Sequence, residues 1–229
     1  MQVVIERRKI WKKLTGLYIL GVNPALITKE FLEELKKTLL TPTDLFLQIE
    51  PLGLYEESIF PFELFQRNNA PFRRFIEPVT ALLNLTTPET ELMASFAEKG
   101  RYNIRLAQKR GITTKWVLGG TKYQVLNTKY QKSYIEAFYD LLDETTKRDG
   151  FAHNSLTYYQ HFVETLESHN AGGLLVAEKD GVLHAAGIFA YWGDTAIYYY
   201  GASSSDTAIR RDMATYLLQW DAIREGIKR

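Results

Sequence analysis

The sequence predicts an α+β protein made of two copies of one module, each with a mixed, mostly antiparallel sheet flanked by helices. Three observations carry that expectation. The run Leu17-Tyr-Ile-Leu-Gly21, then a polar loop and an amphipathic helix, is echoed 180 residues later by Ile197-Tyr-Tyr-Tyr-Gly201, a loop and a helix over 213–228. In both copies two antiparallel strands are expected before the glycine. With 229 residues and 45% apolar side chains, the chain can form one large domain or two small ones.

The elements follow in order. Residues 2–10 are β-branched enough for a strand, Lys12-Lys13 and Thr15-Gly16 mark a turn, and 17–21 has the length of a buried strand. Asn23-Pro24 ends it. Thr28 can cap a helix in which Phe31, Leu32, Leu35 and Leu39 keep the 3.6-residue period, and Thr41-Pro42 stops it. Leu45, Leu47 and Ile49 alternate as in a strand over 44–50. Prolines, glycine and asparagines over 51–72 indicate an irregular connection with one short helix at 62–67, and 75–85 reads as extended. Thr87-Pro88-Glu89 opens a helix, and Gly111 stops it. Strands are expected at 115–118 and 123–126 around Gly119-Gly120, and amphipathic helices over 129–148 and 155–168. Strands at 174–178, 183–192 and 195–200 form a meander through Asp180-Gly181 and Gly193-Asp194.

Composition removes several kinds of chemistry. Lys and Arg number 28 against 27 Asp and Glu, so nucleic-acid contact would need a local patch. The absence of cysteine excludes disulfides, thiolate metal sites and thiol catalysis. His153, His161, His169 and His184 show no metal-ligand spacing. No run of about 18 apolar residues and no leader pattern is present, so a cytoplasmic protein without stable membrane insertion is expected.

The unit of strand, glycine, loop and helix is where an acyl-CoA N-acetyltransferase holds pyrophosphate on backbone amides. Here Arg210 and Arg211 are available, but Met213, Ala214 and Thr215 stand where glycine is wanted, so CoA binding is not expected. Arg101, Arg105 and Lys109 fall at i, i+4 and i+8, with Arg110 and Tyr102 beside them. Such a stripe can hold an RNA backbone or simply face solvent. Tyr198, Tyr199 and Tyr200 are consecutive on a strand, so alternation would send Tyr198 and Tyr200 to one face. Tyr158 and Tyr159 form a second pair near a helix start. These phenols could orient a ligand or pack. His153 could be a base but has no partner evident in the sequence, and Asp206 and Asp212 suit loop or cap positions.

Arg101–Gly111, Phe138–Phe151, Tyr198–Ser203 and Tyr216–Arg224 together resemble the Fem family of peptidoglycan-bridge aminoacyltransferases, in order from about residue 75 to the C-terminus. The resemblance implies two acetyltransferase-like (GNAT-like) modules, here 1–120 with a basic helix 88–110 and 121–229 lacking its C-terminal part. It implies transfer of an amino acid from aminoacyl-tRNA to the stem-peptide amine of a UDP-linked or lipid-linked muropeptide, without metal or cofactor, by a monomer. It places substrate contacts at Tyr158, Tyr198, Tyr200 and Ser203, with Arg210 and Arg211 nearby, and tRNA contacts at Arg101, Arg105, Lys109 and Arg110. No catalytic side chain is assigned. Asn154 stands where the family pattern has a phosphate-pairing arginine. An acyl-CoA N-acyltransferase and a non-catalytic fragment or binding module of the same fold are the alternatives.

Overall fold

The computed structural model describes residues 4–51, 80–117 and 133–229. The expected helix at 62–67, the strand at 123–126 and the Gly119-Gly120 turn lie outside those residues. The chain forms two compact units, Met1–Leu82 and Leu83–Arg229. Residues 83–117, expected with the first module, therefore pack in the second unit.

The first unit contains strand β1 (Glu6–Trp11), β2 (Leu14–Val22), helix α1 (Lys29–Thr38) and β3 (Asp44–Pro51). β1 and β2 are an antiparallel hairpin, whereas β3 runs parallel to β2 in the order β1-β2-β3. A parallel neighbour requires a crossover, and α1 supplies it. Thr28 starts the helix by accepting the Phe31 amide at 3.2 Å. Its Leu32 and Leu35 close over Ile19, Val22 and Ile27.

The second unit has a four-stranded antiparallel sheet in the order β4 (Thr113–Val117), β5 (Gly172–Lys179), β6 (Val182–Trp192), β7 (Thr195–Ser203). The expected meander is thus extended by β4, joined on the outer side of β5. Helices α4 (Tyr134–Asp149) and α5 (Leu156–Ser168) cover one face, where Ile135, Phe138, Tyr159 and Val163 meet Leu174, Val176 and Ile188. On the other face α3 (Glu98–Lys109) and α7 (Ala214–Lys228) bring Ile104, Leu218 and Trp220 against Leu175, Phe189 and Tyr191. Covering both faces explains the unbroken apolar run Leu174–Ala177. Ser133 and Glu136 form a reciprocal capping box on α4, and Gly150 ends that helix at φ +76°.

The helix expected over 88–110 is two helices, α2 (Glu89–Ser95) and α3, separated by extended Phe96. Turning out of the helix lets the Phe96 ring meet Trp220 edge-on at 5.6 Å. Apolar spacing continues through the break, so the sequence period alone did not reveal it. A further single-turn helix, α6 (Thr207–Arg210), fills the loop between β7 and α7.

Candidate functional site

The face of the second unit beneath α5 carries an aromatic shelf. Ser155 caps α5 by accepting the Tyr158 amide, which fixes Tyr158 in the first turn and Phe162 one turn later. Phe162 stacks on Tyr158 with ring centroids 6.0 Å apart and meets Tyr199 and Tyr200 edge-on at 5.1 and 5.8 Å. Tyr159 is buried below them, its ring 5.1 Å from that of Tyr200 and its hydroxyl accepting the Asn154 amide at 3.2 Å. Across the shelf the Tyr158 and Tyr200 hydroxyls are hydrogen-bonded at 3.0 Å. Tyr158 and Tyr199 remain 42% and 48% exposed. Burial, then the Tyr158 hydrogen bond, pushes the Tyr200 phenol above its ordinary range, so it is a neutral hydrogen-bonding group.

Strict alternation fails at this point. Phe189 pairs with Tyr198 and Ile188 with Tyr200, leaving Tyr199 as an extra residue, a β-bulge. Tyr199 and Tyr200 consequently both reach Phe162, while Tyr198 stacks on Phe189 on the opposite face, at 5.1 Å. The expected pairing of Tyr198 with Tyr200 in one site is thus corrected. Ser203 is tied to α4 through its backbone: its amide and carbonyl both bond the Thr145 hydroxyl, at 3.2 and 3.3 Å.

The family match falls largely on the same unit. Residues 76–178 match the FemAB family. Over 107 residues, 46% of the chain, it is 24% identical to Lipid II:glycine glycyltransferase of Staphylococcus aureus and to the same protein of strain USA300. The matched stretch spans 22% of the length of those relatives. The crystal structure of FemX shares the fold, with a TM-score of 0.53 at 15% identity over 63% of this chain and 48% of that one.

The matched residues also hold the basic helix, on which Arg101, Arg105, Lys109 and Arg110 divide. Arg105 and Lys109 are exposed on α3. Arg101 instead folds back, donating to the carbonyls of Phe96 and of Ala94, the latter at 3.0 Å. The break at Phe96 leaves those carbonyls without helical partners, and Arg101 answers them. Arg110 reaches the Arg211 carbonyl and pairs with Asp212 at 3.5 Å. The end of α3 therefore meets the loop carrying Arg210 and Arg211, both exposed, so two basic groups a hundred residues apart form one surface. Neither guanidinium is hydrogen-bonded to the tyrosine shelf among the described residues.

Four successive backbone amides of that loop are bonded within it. The amides of Arg210, Arg211, Asp212 and Met213 donate to the carbonyls of Asp206, Thr207, Ile209 and Arg210, and Asp206 caps Ala208 at 2.7 Å. Asp212 is a hub, with Lys179 at 3.4 Å and His184 Nδ1 at 3.9 Å beside a cavity of about 330 Å³. Burial, the largest influence, holds buried His184 below the usual histidine range. His153, expected to lack a partner, has two: Asp143 at 2.7 Å on Nε2 and the Asn154 carbonyl at 2.8 Å on Nδ1. With both ring nitrogens engaged it pins the loop before α5 to α4. Among the described residues no cluster of His, Asp and Glu could hold a metal ion, and no helix is long and apolar enough to cross a membrane. Phe162 and Tyr199 were missed as shelf residues. The spacing of Tyr158 and Phe162 at i, i+4 was the available signal, but the bulge had none.

Proposed function

We propose that this chain acts in aminoacyl transfer from aminoacyl-tRNA to the stem-peptide amine of a peptidoglycan precursor, through two acetyltransferase-like modules. The observation that carries the reading is the Tyr158–Tyr200 hydroxyl pair on an open aromatic shelf, built partly from the residues that match the FemAB family. Neutral phenols beside flat rings suit sugar, phosphate and peptide groups of a muropeptide, and they bind by hydrogen bonding and stacking without abstracting protons. In the reaction the acceptor amine attacks the aminoacyl ester carbonyl, an amide bond forms, and the bond to the ribose oxygen breaks. The amine's proton passes to solvent or to an anionic group of the substrate, and the ribose oxygen takes up a proton from solvent and leaves as the hydroxyl. The ester is already activated, so holding the two substrates together supplies much of the rate.

Arg105, Lys109, Arg110 and Arg211 offer phosphate contacts for the acceptor arm of the tRNA. The relatives' printed substrate, lipid II, makes a lipid-linked muropeptide the first acceptor to try. An acyl-CoA acyltransferase would need free amides in the loop between β7 and α7, and those of residues 210–213 are committed to carbonyls. The test is transfer of label from radiolabelled aminoacyl-tRNA, with several amino acids, to UDP-linked and lipid-linked muropeptides, beside calorimetry with acetyl-CoA. Label should reach the muropeptide, with no heat from acetyl-CoA. Micromolar acetyl-CoA binding without label transfer would favour the acyl-CoA alternative, and muropeptide binding without transfer a binding module.

A further inference from the structure

We infer that one end of the first unit docks on an anionic membrane surface. β2 and β3 are parallel and both begin at this end, the β1–β2 turn at Lys12-Lys13 lies there, and α1 returns to it. The pieces are tied together: the Thr15 amide donates to the Thr43 carbonyl at 2.9 Å, and Arg7 bonds both the Leu39 carbonyl and the Asp44 carboxylate. Five large apolar side chains are exposed in the segments that meet at this end, Ile10 and Trp11 from the hairpin, Leu39 and Leu40 after α1, and Leu45 at the start of β3. Trp11 is 62% exposed and Leu45 56%. Lysines are the charged groups nearest the tip, with Glu33 and Glu34 one turn earlier on α1. Lys9, Lys12 and Lys13 flank the hairpin tip, and Lys36 and Lys37 occupy the last turn of α1. Lys12 Nζ lies 4.5 Å from the Trp11 ring centroid. Asp44, at the start of β3, is turned inward, where Thr15, Thr41 and Arg7 bond its carboxylate.

The combination selects the partner. A polyanion such as RNA would use the lysines but leave Ile10, Leu39, Leu40 and Leu45 in water. A bilayer interface uses both: the indole and aliphatic groups enter the headgroup boundary, and the ammonium groups meet anionic lipid phosphates while their stems lie along apolar surface. This inference does not rest on the transferase reading.

The test is co-sedimentation of the full chain with vesicles of phosphatidylcholine alone or with roughly a third phosphatidylglycerol. Binding should require phosphatidylglycerol. Replacing Lys9, Lys12 and Lys13 with Gln should weaken it on the order of 100-fold, from about one surface-lysine contribution each. Trp11→Ala should weaken it about tenfold, while Trp11→Phe keeps most of the binding. Circular dichroism should stay unchanged, since these side chains are exposed. Equal partitioning to both vesicle types, or none to either, overturns the inference. So does Trp11→Ala leaving vesicle binding intact while the lysine variant loses vesicle and RNA binding together.

Discussion

Gly187 and Gly201 face each other across the β6–β7 ladder, and the stacked rings of Phe189 and Tyr198 lie over the gap they leave. A Cβ on Gly187 would stand 2.9 Å from the Phe189 ring, and one on Gly201 would fall on the Tyr198 phenol. Gly201 therefore serves aromatic packing on the α7 face, and not the close approach of a phosphate. With Tyr198 laid down on that face, the bulge at Tyr199 leaves Tyr200 to meet Tyr158 on the other.

Gly201→Ala should push the Tyr198 ring off Phe189 and cost about 1–3 kcal/mol, the range for overpacking. Urea unfolding of the variant measures this. Adding Tyr198→Ala should show a coupling energy that recovers part of the loss. Simple additivity would mean that the ring is not what the glycine accommodates.

Tyr158→Phe and Tyr200→Phe each remove one hydroxyl from the shelf and should weaken muropeptide binding about tenfold, with folding kept. Tyr198→Phe should leave binding unchanged, because that phenol lies on the opposite face. Calorimetry with a UDP-linked muropeptide reads all three. A Tyr198 effect as large as that of Tyr200 would contradict the division of faces.

On the basic surface the cations proposed to contact tRNA can be told from a structural one. Replacing Arg105, Lys109 and Arg211 with Gln should lower the slope of log affinity for tRNA against log salt by about 2–3 units without moving the melting temperature. Arg101→Gln should leave that slope alone and cost about 1–2 kcal/mol, since it strips the Phe96 and Ala94 carbonyls of their donor. Filter binding over a salt series, paired with thermal melts, distinguishes the two.

Burial lowers the folded-state pKa of His184, so between the unfolded histidine value, about 6.5, and the lower folded one, the unfolded chain binds more protons. This contribution is fully present above about pH 7 and is lost as pH falls through that interval. His184→Gln should flatten the stability profile over the same window, read by urea midpoints at successive pH values. A wild-type profile flat across it would place His184 outside this coupling.

The sequence by itself determined the elements whose signals are local. Thr28 marks a helix start, Asp180-Gly181 and Gly193-Asp194 mark hairpin turns, and 174–178 reads as a strand, whereas the helix expected from 129 begins only after the Ser133 cap. The Fem resemblance was also legible there, because it rests on residue identities in order. Only the tertiary structure decided which side chains share a site. A one-residue bulge reverses the faces of Tyr198 and Tyr199, and no propensity records it, because it depends on register with β6. The helix break at Phe96 exists for a ring contact with Trp220, more than a hundred residues away, and it turns Arg101 from a surface cation into a partner for orphaned carbonyls. Arg110 meets Arg211 for the same reason: long-range packing of α3 on α7 places the end of one helix against the loop before the other.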